Sequence, residues 1–315
     1  MRTVASALLI LCTWAAQAQN FPDKPLRWIV PFPAGGPADI LSRLVAERVS
    51  ENVGQRILVD NRVGASGIIG TELAVKAPPD GYTIVWGIAS TITINQFLNN
   101  MSYDPVKDLA PVSLVNRGHF LLIVKPGFQA STLQEFVDLA RSSKRITYGS
   151  WGPGSGTHLA MAVLERRLKS ELTHVPYKGT APVLNDLLGG HLDCAFETTN
   201  PAIHHIRAGK LKAIGVSALK RKDFLPEVPA ISEIFPSFEV TTWGAFLAPA
   251  ATPKPIIAKL NQEIVKVVRS PAINARMSDL GTEPVGSTPE ELGQRIRADA
   301  ALWKKVIQDL GLKPE

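Results

Sequence analysis

The chain of 315 residues is 45% hydrophobic and 20% charged, with 34 Lys and Arg against 28 Asp and Glu for a net charge of +6. That composition suits a globular protein with a sizeable core and excludes a disordered or low-complexity chain. The basic residues are scattered, apart from Lys220-Arg221-Lys222, and have no interleaved aromatics; this argues against nucleic acid and leaves a mild field favouring small anions.

The N-terminus has the layout of an export signal. Arg2 supplies a short positive region, and Ala5 to Trp14 is an apolar run too short to span a bilayer comfortably. Ala16-Gln17-Ala18 then gives a small-x-small cleavage site, so residues 1–18 are expected to be a secretory signal peptide and the mature protein exported. Cys12 follows Leu11 where a lipoprotein signal wants Gly, Ala or Ser, so no lipid anchor is expected. Cys194 is then the only cysteine, which forbids an internal disulfide and leaves stability to the core.

Beyond the leader, apolar strand-like runs alternate with amphipathic helical ones, the signature of an α/β fold. Strands are expected near 26–32, 56–60 and 83–88, with helices near 38–52 and 68–77 between them. "LAPVSLV" (109–115) and "HFLLIVKPG" (119–127) follow as a paired stretch. The alternation then restarts: a helix from about Thr132, the strand "RITYG", a helix over 157–169, a strand at 172–178 and a helix over 181–188. A strand at 192–198, a short helix ending at Gly209 and a strand at 211–218 complete this second unit. After "TTWGAFLAP" (241–249) the pattern is helical, with Pro253 or Pro255, Pro271 and Ser287 or Thr288 marking the helix starts. These last helices have no strands of their own to cover and are expected to pack on the first unit. The expected organisation is one lobe from 19–118 plus 243–315 and a second from 119–242, with a cleft between them.

Two glycine-rich loops carry the functional signal. "PFPAGGPADI" (31–40) and "SWGPGSGTH" (150–158) each lie between a strand and a helix. Neither has the lysine of a phosphate-binding P-loop, the spacing of a dinucleotide fingerprint, or the Gly-x-Ser-x-Gly of a hydrolase elbow. The histidines offer no metal-ligand spacing, and His204 and His205 are adjacent, about 100° apart on a helix. No catalytic set assembles, so neither an enzyme nor a cofactor or metal is expected. The opening of a helix, by contrast, leaves about four N–H groups unpaired and about half a positive charge. Two such openings, one per lobe, can pinch a carboxylate between them without any arginine.

Several ordered motifs extend this reading: "KPLRWIVPFPAGGPADILSRL", "VDNRVGASGIIGTELAVKAPPDGYTI", "YGSWGPGSGTHLA", "HVPYKGTAPVLNDLLGGHLDCAF", "IRAGKLKAIGVSA" and "WGAFLAPAATPKPIIAKLN". With them the chain resembles, along essentially its whole mature length, the Bug family of periplasmic receptors for tripartite tricarboxylate transporters. The resemblance implies a two-lobed, type II-like Venus flytrap that binds a small organic carboxylate and delivers it to membrane permease subunits. A sensor feeding a two-component kinase would use the same flytrap. A monomer is expected.

In that family main-chain amides of the two loops, helped by ordered water, hold the ligand's proximal carboxylate. The resemblance therefore points to Phe32, Pro33, Ala34, Gly35, Gly36 and Asp39 in the first loop. In the second it points to Ser150, Trp151, Gly152, Gly154, Ser155, Gly156, Thr157 and His158. Asp39 either holds its helix start or touches ligand. Ser90, Thr91, Tyr177, Thr180, Thr198 and Thr199 look like ligand-facing hydroxyls, with local capping as the alternative for each. Trp151 stands where the family more often has a small residue; it either stacks on a flat ligand or packs against the other lobe on closure.

Overall fold

The computed structural model describes residues 21–142, 145–309 and 311–312, so the expected signal peptide lies outside the described residues. The first unit opens with β1 (Leu26–Val30), α1 (Pro37–Val53), β2 (Ile57–Asn61), α2 (Ile68–Val75) and β3 (Thr83–Ile88). Its α1 is readable from its residues. Pro37 sits in the first turn, where its missing N–H costs nothing, and Leu41, Val45, Ala46 and Val49 form one buried stripe. Gly54 ends the helix in the left-handed region at φ 67°. A π-helical turn, Ser90–Ile94, follows β3.

The next strand, β4 (Leu109–Val124), corrects the sequence expectation: the two runs at 109–115 and 119–127 are one continuous strand. The polar triplet Asn116-Arg117-Gly118 is no turn, because it keeps pairing with Gly244, Trp243 and Thr242 of β9 (Thr241–Pro249). Register shifts between Pro111 and Ser113 and between Leu114 and Asn116 absorb the bend that this long strand needs. Along β4 the partners change: residues up to His119 pair with β9, and Phe120 to Val124 pair with β7 (Cys194–Thr198).

The second unit contains α3 (Leu133–Ser142), β5 (Thr147–Ser150), α4 (Gly156–Leu168), β6 (Thr173–Pro176) and α5 (Thr180–Leu188). After β7 come α6 (Thr199–Arg207) and β8 (Lys212–Val216). Gly209 has the left-handed φ of 66° expected just past that helix. The chain closes with α7 (Lys254–Val268), α8 (Pro271–Asp279), β10 (Glu283–Pro284) and α9 (Pro289–Asp309). A reciprocal capping box starts α9: Glu291 N–H donates to Thr288 Oγ1, and Thr288 N–H donates to Glu291 Oε2.

The strand order is β2-β1-β3-β9-β4-β7-β5-β6, with β8 and β10 also on β4. β1 is parallel to β2 and β3, and β5 is parallel to β6 and β7, so the two lobes repeat one arrangement on either side of β4 and β9. In each repeat the first strand has its neighbours on opposite sides, which makes its carboxyl end a topological switch point, the place where open α/β sheets take ligands. Helices α1, α7 and α8 cover one face of the first lobe around Trp28, Trp86 and Phe246. The last helix packs on β4 and the Ser90–Ile94 turn of the first unit and also reaches the second. Leu292, Ile296, Trp303 and Ile307 of α9 join a core that includes Phe120, Phe136, Leu159 and Met161 of the second lobe. Arg166 of α4 also donates to the Asp309 carbonyl at 3.0 Å.

Candidate ligand-binding site

The first glycine loop leaves the end of β1 and is shaped from within by Asp39. This side chain, 3% exposed, accepts from Gly35 N–H at 2.9 Å, from Arg43 Nε at 2.9 Å and from Asn61 Nδ2 at 2.9 Å. Asn61 also donates to the Phe32 carbonyl, which fixes the start of the same loop. Burial pulls the Asp39 pKa up, but the bonds from Arg43, Gly35 and Asn61 outweigh it, and the net shift is downward. Of the two roles open for Asp39, the structure supports holding the helix start. Gly35 N–H is thereby occupied. The N–H groups of Ala38 and Asp39, in the first turn of α1, have no acceptor among the described residues. Phe32 lays its ring against Gly67, and Gly36 N–H donates to the Pro33 carbonyl at 3.3 Å; Ala34 lies between them at the exposed tip.

The second loop leaves β5 and is held by neutral groups. Ser155 caps α4, its Oγ accepting from His158 N–H at 3.3 Å. His158 Nδ1 accepts from Gly154 N–H at 3.1 Å, and its ring stacks on His174 at 4.4 Å. His174 Nε2 lies 2.6 Å from Ser150 Oγ, and Gly152 N–H donates to the same oxygen at 3.1 Å. Thr157 Oγ1 accepts from Trp151 N–H. Burial lowers both histidines, that of His174 to about 4 with the neighbouring His158 adding to the effect. The N–H groups of Gly156 and Thr157 are the free donors here, with no acceptor among the described residues.

Trp151 and Glu197 form the feature that periodicity alone did not reveal. Glu197 is wholly buried, and its Oε1 accepts from Trp151 Nε1 at 2.7 Å while Oε2 meets Thr180 Oγ1 at 3.3 Å. Burial pushes its pKa up to about 8, against the opposing effect of both hydrogen bonds. At neutral pH it is therefore mostly a neutral acid. The signal for it was present: an acidic residue at the end of the apolar run "LDCAF" has no water to face.

The remaining hydroxyls divide. Thr91 Oγ1 bonds to Ile88 backbone at 3.1 Å, the Tyr177 hydroxyl goes to Asp186, and Thr180 goes to Glu197. Each of these three, expected to face ligand, has a hydrogen-bond partner within the protein, local for Thr91 and on other segments for Tyr177 and Thr180. Ser90 instead lines a narrow cavity between the lobes. Thr198 Oγ1, Thr199 Oγ1 and Asn200 Nδ2, at the start of α6, are buried with no partner. Thr199 packs against Gly281 of the first lobe, where an added Cβ would stand 2.1 Å from its methyl. The two halves also touch where Gly154 meets Leu98 and where Lys222 pairs with Glu283 at 2.8 Å.

The comparisons agree with this geometry. The model of the tripartite tricarboxylate transporter family receptor matches residues 41–312. A UPF0065 protein from the tcbD–tcbE intergenic region of Pseudomonas sp. (strain P51) is 35% identical over 99% of this chain and 94% of its own length. The solved periplasmic binding protein BugD superposes with a TM-score of 0.87 at 32% identity, covering 94% of this chain and all of its own. The R. palustris protein Rpa4515, solved with adipate, superposes at 0.90 and 32% identity over 94% of this chain and 100% of its own. Among the described residues no helix is long and apolar enough to cross a membrane. With two lobes repeating one strand order and a glycine loop at the head of each, this chain belongs to the family of tripartite tricarboxylate transporter receptors.

Proposed function

We propose that the protein is a periplasmic receptor that closes over a small organic carboxylate and passes it to the permease subunits of a tripartite tricarboxylate transporter. The observation that carries this reading is the pair of helix starts at the ends of β1 and β5, each with two unpaired N–H donors. A carboxylate placed between them receives hydrogen bonds and two helix dipoles, each worth roughly 0.3–2 kcal/mol. Micromolar affinity needs about 8 kcal/mol, so hydrogen bonding and burial supply most of it. The orphaned Thr198, Thr199 and Asn200 groups add donors beside the second loop, since β7 and β5 are adjacent strands spaced by about 4.8 Å. Within this reading the exported chain loses residues 1–18, acts as a monomer, needs no cofactor and does not turn its ligand over. Residues 19–118 with 243–315 form one lobe and 119–242 the other; the change of partners along β4 at His119 and Phe120 supports that division.

The test is a melting experiment on mature protein stripped of ligand by unfolding and refolding. An acid at 100 times its Kd adds about 2.7 kcal/mol of stability. A panel of monocarboxylates, dicarboxylates, tricarboxylates and acidic amino acids should contain at least one that raises Tm. A cooperatively folded sample that no acid stabilises would overturn the assignment.

A further inference from the structure

Beside the second loop the two lobes enclose a cavity of about 10 Å³. Its walls are mostly apolar, among them Ile88, Phe120, Trp151 and Trp303; Ser90, Thr241 and Thr242 add hydroxyl-bearing residues, and Gly156 brings the start of α4 to its wall. No lysine or arginine lines it. One guanidinium touches its wall through Thr241: Arg295 Nη2 donates to Thr241 Oγ1 at 2.7 Å, and its Nε is bonded at 2.8 Å to Asp299. That charge is already paired.

The orientation of Trp151 is fixed. Its Nε1–H is spent on Glu197 and its ring stands edge-on to Phe120 at 6.2 Å, so what it offers the cavity is ring surface and not a donor. The carboxyl of Glu197 lies at the edge of the indole, in line with that N–H. A second ligand anion here would meet aromatic faces, hydroxyls and a buried acid, and its lost hydration would go uncompensated. An uncharged ring would meet surfaces suited to stacking and burial. The donors for a carboxylate lie at the starts of α1, α4 and α6, and of these only Gly156 of α4 is among the walls of this cavity.

Resting on the carboxylate-receptor reading, we propose that the ligand has one carboxylate and an apolar, ring-bearing body, and that the Trp151 face held by Glu197 is the platform for the ring. A ring is far larger than the present cavity. It therefore enters when the lobes stand further apart, moving about β4 and β9, and it separates Leu98 from Gly154. Trp151 is then a specificity-determining residue and Glu197 a positioning residue that acts through it.

The test is calorimetric titration of the stripped mature protein with benzoate and phenylacetate against succinate, malate and adipate. The expected result is at least tenfold tighter binding of a ring monocarboxylate than of any of the straight-chain diacids. Trp151→Leu should remove that preference while the protein still melts cooperatively. Glu197→Gln, whose carbonyl still accepts from the indole, should retain the preference that Glu197→Leu loses. A diacid binding more tightly would overturn this proposal and leave the carboxylate receptor standing. A ring acid whose affinity Trp151→Leu changes less than twofold would overturn the platform. No binding by any carboxylate would overturn both readings.

Discussion

The two glycine loops occupy equivalent places, each at the end of the first strand of its lobe, but opposite chemistries brace them. The first is tied by charge: Asp39 gathers Gly35, Arg43 and Asn61, and Arg43 is half exposed, so water screens part of the network. The second rests on neutral groups: a stack of Tyr148, His174 and His158, a serine cap, and an indole bonded to an acid that burial keeps protonated. Equivalent backbone geometry thus has two kinds of support. The first loop can use ions because the bonds from Arg43, Gly35 and Asn61 outweigh what Asp39 loses on burial, whereas the second, pressed between lobes, is braced by neutral partners.

The sharpest way to break this comparison is at the glycines themselves. A Cβ on Gly154 would stand 2.6 Å from Leu98 Cδ1 of the opposite lobe, at a φ of +71°. Gly154→Val, strained at that φ, should therefore displace the second loop and weaken ligand binding roughly hundredfold. Gly35 has a similar φ of +77°, but its Cβ would meet nothing within 4 Å. Gly35→Ala should thus cost only the left-handed backbone penalty of about 1–2 kcal/mol. Titration and urea unfolding of both variants check the pair. Equal effects on affinity would show that the loops are not supported differently.

A smaller effect belongs to the first loop's brace. Asp39→Ala leaves Gly35 N–H, Arg43 and Asn61 without their shared acceptor and removes a negative charge from the start of α1. A hydrogen bond to a charged group is worth about 1.5–3 kcal/mol, so a stability loss of about 2–3 kcal/mol is expected in urea unfolding. A loss below about 0.5 kcal/mol would mean that solvent replaces the network.

How much of this was legible in the sequence follows from the range of each signal. Glycine and proline punctuation is local, so both loops, the helix starts at Pro37 and Thr288, and the left-handed Gly209 could be read directly. β4 could not, because Asn116-Arg117-Gly118 is polar for a reason 128 residues away, where Gly244 pairs with Asn116. Roles of single hydroxyls were equally hidden. Thr91 lies just past β3 and Thr198 ends β7, but one finds backbone within three residues and the other finds no partner among the described residues. Glu197 meets Trp151 across 46 residues, a contact that no periodicity encodes. Sequence located the loops; only the fold could say what braces them.

The mildest effect is also the most specific to the second loop, and it is a matter of sign. Glu197 has its pKa raised by burial from 4.5 to about 8. Between those values the folded protein keeps a proton that the unfolded chain has lost. Its contribution to stability is therefore complete below pH 4.5 and is lost as pH rises through 8. His119 and His174, lowered from 6.5 to about 4 by burial, act oppositely: their contribution is present above pH 6.5 and lost as pH falls towards 4. Below pH 6.5 the terms oppose one another; above it the Glu197 slope remains, with Glu165, which burial also raises, acting in the same sense. Stability should thus peak near pH 6.5 and then decline by up to about 1.4 kcal/mol per pH unit until pH 8. Glu197→Gln should flatten the decline, because a carboxamide does not titrate yet can still accept from Trp151. Urea unfolding of both proteins at pH 6.5 and 8 separates the cases. If the variant declines as steeply as the parent, the slope comes from another group and the neutral brace of the second loop is not set by Glu197.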